Sequence, residues 1–184
     1  MLVLNKSDWF LLILSLLIPQ LVFAQYSEYE LKAVYLEKFT HFIEYPKLTT
    51  VADTSKPFII GVIGKNPFAD ILDNYYKTYK IKNRKVEIKY YSRLSQITGC
   101  NLLFIAASEK ERLREILSLI KDKPILTVSD SEGFSQAGVH INLYLKDNKL
   151  HYELNEGALI KSGFSVWAQL LNSAKIINPV KKEQ

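Results

Sequence analysis

Residues 57–72 read PFIIGVIGKNPFADIL. The run from Phe58 to Ile63 does not alternate between apolar and polar, as expected for a strand covered on both faces. Gly64 offers a turn, and Asn66-Pro67 supplies a cap and a first-turn proline, so the spacing predicts a helix over 68–79. A strand that passes straight into a helix is the first half of a βαβ unit. The chain repeats this pattern downstream. KVEIKYY (85–91) alternates like a half-exposed strand, and NLLFIAA (101–107) is again fully apolar. Ser108-x-x-Glu111 has capping-box spacing for a helix running to about 120, and PILTVSD (124–130) reads as a further strand. The alternation predicts an α/β fold: a single three-layer domain with a mostly parallel sheet flanked by helices.

Upstream lies LKAVYLEKFTHFIEYP (31–46). Leu31, Val34, Tyr35, Phe39, Phe42 and Ile43 follow the i, i+3, i+4 spacing of a helix face, with Lys32, Glu37, Lys38, His41 and Glu44 on the other side. Ser27-x-x-Glu30 is a capping box, Tyr26 and Leu31 sit where a hydrophobic staple would, and Pro46 stops the chain. A helix over about 28–44 is expected, followed by a loop at 48–57. Its aromatics exceed what one packed stripe requires. Phe39 and Phe42 are assigned to the core. Tyr45 falls about 80° round from them on a helical wheel, so Tyr35 and Tyr45 are the candidate outward-facing anchors for a partner.

Downstream, GVHINLYLKDNKLHYELN (138–155) reads as a β-hairpin turning at Asp147-Asn148. With Lys146 opposite Lys149, one face carries Val139, Ile141, Leu143, Leu145, Leu150, Tyr152 and Leu154. The other carries His140, Asn142, Tyr144, His151, Glu153 and Asn155. A closing helix is expected, with the stripe Phe164, Trp167, Leu170, Leu171, Ala174 and Ile177.

The first 24 residues differ from the rest. Lys6 precedes the apolar run WFLLILSLLI (9–18), and Val22-x-Ala24 fits a signal-peptidase site. The run is short for a membrane span, which needs about 20 residues. A signal peptide over 1–24 is expected, with cleavage after Ala24 and a regulatory domain over 25–184. The chain has 184 residues, 48% hydrophobic and 23% charged, which suits one packed domain and excludes a disordered tail. Its net charge of +5 is spread over the surface with no basic arm, so nucleic acid is not an expected partner. Cys100 is the one cysteine, so no internal disulfide forms; it is read as a small buried hydrophobe.

GVIGKNP lacks both the phosphate-loop and the dinucleotide glycine patterns. His140 and His151 lie about four residues apart along the hairpin, roughly 13 Å at ~3.3 Å per residue, too far to share one ion. No metal, cofactor or catalytic constellation is therefore assigned. The loops after parallel strands gather on one edge of a sheet, which makes Lys65, Asn66, Arg93, Ser108, Ser129 and Asp130 candidates for a crevice taking a small anion.

The order of KAVYLEKFTHFIEYP (32–46), IIGVIGKNPFADIL (59–72), CNLLFIAASE (100–109), ILTVSDSEGFSQAGVHINLYL (125–145) and KLHYELNEGALIKSGFSVWAQLLNSAKII (149–177) resembles the YfiR-like family of exported regulators. The resemblance covers nearly the whole chain after residue 24. It implies a periplasmic α/β domain without enzymatic activity that restrains a membrane diguanylate cyclase, and so lowers cyclic-di-GMP output. It also admits a sensor kinase as the membrane receptor. The anchors Tyr35 and Tyr45 would serve that receptor or, in a homodimer, a second copy of the chain. Redox-sensitive disulfides of the family do not carry over to a chain with Cys100 alone. The rival expectation is a periplasmic small-ligand carrier. An exposed apolar helix face favours the regulator, and a deep polar crevice at the strand ends favours the carrier.

Overall fold

The computed structural model describes residues 28–46 and 55–178, so the expected signal peptide over 1–24, the expected cleavage after Ala24, Tyr26 and Ser27 lie outside the described residues. In chain order the elements are α1 (28–42), β1 (Ile43–Glu44), β2 (Phe58–Ile63), α2 (Ile71–Thr78), β3 (Val86–Tyr91), β4 (Leu102–Ile105), α3 (Leu113–Ile120) and β5 (Leu126–Ser129). Then follow α4 (Phe134–Ala137), β6 (Ile141–Lys146), β7 (Lys149–Asn155), α5 (Glu156–Lys161), β8 (Ser165–Val166), α6 (Ala168–Asn172) and β9 (Lys175–Ile177). The main sheet has seven strands in the order β3-β2-β4-β5-β6-β7-β9. It is parallel from β3 to β6, β7 runs antiparallel to β6, and β9 is parallel to β7. The mixed α/β architecture with a mostly parallel sheet is the one its strand pattern predicts.

The hairpin follows its sequence residue by residue. Lys146 faces Lys149, Tyr144 faces His151 and Asn142 faces Glu153. Asp147 and Asn148 take φ of 51° and 56°, the left-handed pair that a two-residue hairpin turn needs and that Asp and Asn tolerate. Period 2 then sorts the sheet. Ile60, Val62, Leu102, Phe104, Leu126, Val128, Ile141, Leu143, Tyr152 and Leu154 join one core beneath α1 and α2. Ile63, Leu103 and Ile105 join a second core with α3 on the opposite face. Toward β5, β6 and β7 that second face turns polar, with Thr127, Ser129, His140, Asn142, Glu153 and Asn155 all buried.

Several expectations are corrected. α1 turns a different side to the sheet from the one its apolar spacing suggests. Lys32, Ala33, Leu36, Phe39, Thr40 and Ile43 are buried, whereas Leu31 is 42% and Val34 36% exposed. The helix has two apolar faces, and periodicity alone does not say which is inward. Lys32 tolerates burial because Glu28 and Asp130 place carboxylates 2.5 and 2.6 Å from its ammonium. α1 also stops at residue 42, where Ile43 and Glu44 leave it to pair with Val166 and Ser165.

α2 starts at Ile71. Before it, the Asn66 side chain accepts from the Phe68 N–H and donates to the Ala69 carbonyl, which holds a turn. Ser108 does not cap its own helix; its hydroxyl accepts from the Lys65 N–H, and the chain passes through a 3₁₀ stretch, Ala107–Arg112, before α3. The single closing helix is replaced by α5, β8, α6 and β9. Gly163, at φ +79°, ends α5 in the left-handed conformation, and a Cβ there would come within 3.1 Å of Pro46.

Candidate functional site

The outward arc of α1 leaves Leu31 and Val34 exposed. At 100° per residue, Leu31, Val34 and Lys38 lie opposite Leu36 and Ile43, with Tyr35 and Phe42 on one flank. The C-terminal end of this arc is fixed in place. The Trp167 N–H donates to the Phe42 carbonyl at 3.0 Å, and the Trp167 indole N–H donates to Glu44 Oε1 at 3.0 Å. The indole meets the rings of Phe42 and His41 at 6.2 and 6.3 Å and stays 44% exposed.

Beside it runs a groove of about 360 Å³ lined by Tyr35, Phe39, Phe42, Leu150, Tyr152 and Leu170. Tyr35, half-buried, packs edge-to-face on Phe39 and Tyr152, and the Lys38 ammonium lies 5.1 Å from its ring centre. The result is a firm aromatic surface with a cation on it, able to bury against another protein and without a group placed for chemistry.

Tyr45 does not belong to this surface. Its ring packs edge-to-face on Phe58 and Phe164, and its hydroxyl donates to the Asn101 carbonyl at 3.2 Å. Burial holds its phenol well above the usual tyrosine range. The wheel angle assigned to Tyr45 assumed a helix that ends three residues earlier. Trp167 takes the outward position instead. It was assigned to a buried stripe, and nothing local in its sequence marks it. Leu31 and Val34 were also assigned inward, although apolar residues over more than half of the helix circumference signal a second buried or contact face.

The six crevice candidates do not form one site. Lys65 and Ser108 are bonded to each other at 2.8 Å, and a Cβ on Gly64 would stand 2.5 Å from Ser108 Oγ, so the loops after β2 and β4 touch. Asn66 is spent on its turn. Arg93 is exposed, with its backbone N–H donating to the Gln96 side chain. The Ser129 hydroxyl donates to Asn142 Oδ1 at 2.6 Å, and Asp130 accepts from Lys32 and from the Tyr29 hydroxyl. Asp130 also lines a charged cleft of about 470 Å³ with Glu28, Lys32, Glu132, Glu153 and Lys175.

Among the described residues no group of three or more His, Cys, Asp or Glu is placed to hold a metal, and no helix is long and apolar enough to cross a membrane.

No curated protein matches this chain in sequence. Among solved structures, a ligand-free, open substrate-binding protein with adhesive properties from Clostridium difficile aligns with a TM-score of 0.52 at 12% identity, over 70% of this chain and 57% of that one. The ABC domain from Streptococcus pneumonia in complex with L-Trp aligns with a TM-score of 0.50 at 9% identity, over 65% and 54%. The chain thus spans little more than half the length of either, and the likeness is one of fold. The sequence is more specific: residues 29–175 match the YfiR/HmsC-like family model, and the chain belongs to that family.

Proposed function

We propose that the protein is an exported, periplasmic regulatory binding protein, not an enzyme, that restrains a membrane diguanylate cyclase and so lowers cyclic-di-GMP output. The observation that carries the contact is the outward face of α1, where Leu31, Val34 and Trp167 are all more than a third exposed on a backbone fixed at both ends. Large side chains on a rigid support make good interface anchors, because little entropy is lost when they are covered. Membership of the YfiR/HmsC-like family supports a membrane receptor as the partner.

The test pairs the purified chain with the periplasmic part of a membrane diguanylate cyclase from the same cell. Val34→Ser and Trp167→Ser should abolish association and raise cellular cyclic-di-GMP. Val34→Ser should leave stability within about 0.5 kcal/mol, as surface changes do, whereas Trp167→Ser also loses its Glu44 bond and its Phe42 and His41 contacts and should cost about 1–2 kcal/mol. Undiminished association in both variants would remove α1 from the interface. Unaltered cyclic-di-GMP on deletion of the whole chain would reject the cyclase in favour of a sensor kinase. Loss of a homodimer in the same variants would assign the face to a second copy.

A further inference from the structure

On the side of the sheet away from α1, the buried residues Thr127, His140 and Asn155 floor a cavity of about 350 Å³. That volume is in the range of small-metabolite sites. One wall is apolar, formed by Leu117, Ile120, Ile125 and Ala158. The polar wall has a fixed direction. The Thr127 backbone N–H, which can only donate, points at His140 Nδ1 at 3.1 Å. Nδ1 is therefore the acceptor, and Nε2 carries the ring proton. Nε2 donates toward Ser162 Oγ at 3.1 Å. Since that nitrogen is already protonated, this imidazole cannot take the serine proton, so the pair is no nucleophile. The Ser162 hydroxyl proton is left to point away from the ring, and Ser162 lines the cavity.

The charge at the mouth has one sign. Lys121 and Lys161 line the cavity, and no Asp or Glu is among its described lining residues. Lys161 has no ion pair among the described residues. Lys121 has only a loose one, 3.9 Å from Asp122, with both side chains at least 70% exposed. An adjoining surface cleft shares Lys121, Lys161 and Ser162 and adds Lys123 and Asp122. Two solvated lysines beside a half-buried hydroxyl donor and an apolar wall suit a negative headgroup on a short hydrocarbon body.

We propose that this cavity binds a small organic anion, its carboxylate or phosphate held by Lys121, Lys161 and the Ser162 hydroxyl and its apolar part against Ile120, Ile125 and Ala158. The test titrates the folded chain with hexanoate, hexyl phosphate and hexan-1-ol, followed by calorimetry and amide chemical shifts. At least one anion should bind saturably and shift Thr127, His140 and Ser162. Hexanoate alone would assign a carboxylate, and hexyl phosphate alone a phosphate.

The double variant Lys121→Gln/Lys161→Gln changes exposed side chains only. It should bind at least about tenfold more weakly with an unchanged melting temperature. Ala158→Leu, which fills the cavity, should remove binding altogether. Equal binding of hexan-1-ol, shifts confined to other surfaces, full affinity in the lysine variant, or no saturation by about 10 mM would each overturn the proposal.

Discussion

The two faces of the main sheet are made by the same strands and filled with different material. Toward α1 the filling is rings and branched chains. Phe68 meets Phe104 at 4.8 Å and Phe39 meets Tyr152 at 5.1 Å, both edge-to-face, and every strand from β2 to β7 contributes. The opposite face is equally apolar over β2 and β4 but polar over β5, β6 and β7. There the contacts are individual bonds. The Ser129 hydroxyl donates to Asn142, Thr127 Oγ1 accepts from the His140 N–H, and Asn155 donates to the Ser135 carbonyl. Apolar side chains fill space wherever their shapes mesh. Polar ones are held by specific partners instead. The cavity over His140 lies above the polar half.

The sharpest way to break this contrast is to make both faces equally sensitive. Phe39→Ala removes a fully buried ring from the aromatic face and should cost about 4 kcal/mol in urea unfolding, the scale of a phenylalanine truncation. A loss under about 2 kcal/mol would show that α1 adds little to the core.

The polar face should respond to pH instead. Burial pushes His140 down to about 4 from its ordinary 6.5. The unfolded chain therefore binds a proton that the folded one refuses, and the stability from neutral His140 is complete above pH 6.5 and lost as pH falls to 4. The loss attributable to this group is about 3 kcal/mol. It is measured as the pH dependence of unfolding in wild type minus that in His140→Gln, and parallel curves would show that the imidazole is solvated.

A smaller effect is expected at Asn142, whose Oδ1 accepts from the Ser129 hydroxyl and the Ser131 N–H. Asn142→Ala strands both donors and should cost about 2 kcal/mol by thermal unfolding. Smallest of all is Cys100→Ala, on the apolar half of the same face. Burial pushes its thiol up to about 11, so it should resist alkylation at pH 8 in the folded chain, and the truncation should cost about 1 kcal/mol. Rapid labelling of the native protein would contradict the packing assigned to that half.

The parallel sheet was legible because Phe58–Ile63 and Leu102–Ile105 are unbroken apolar runs, and the hairpin because Asp147-Asn148 sets its register. Those are local properties. The sequence also indicated which polar residues share the second face, though not that α4 and α5 would cover them, since burial depends on elements from elsewhere in the chain. The phase of α1 was misread for a related reason. Lys32 goes inward only because Asp130, 98 residues away, is there to receive it. The closing segment carries a helical spacing from Phe164 to Ile177, yet Gly163 stops α5 and β1 draws Ser165 and Val166 into a strand. Where the crevice candidates fall is a matter of loop shape, which brings the Lys65 backbone N–H to the Ser108 hydroxyl and sets Asp130 beside Lys32.

The pairing of β1 with β8 also dictates an order of events. Glu44 and Trp167 are 123 positions apart, and the end of α1 has no strand to join until nearly the whole chain exists. Contacts this distant form late and slow folding. A chain emerging from its N-terminus first therefore carries α1 for most of its synthesis with both apolar faces bare, the one destined for the core and the one that remains surface. During that interval the pairing of Ile43 with Val166 cannot form, so the end of α1 is among the last parts of the fold to be fixed.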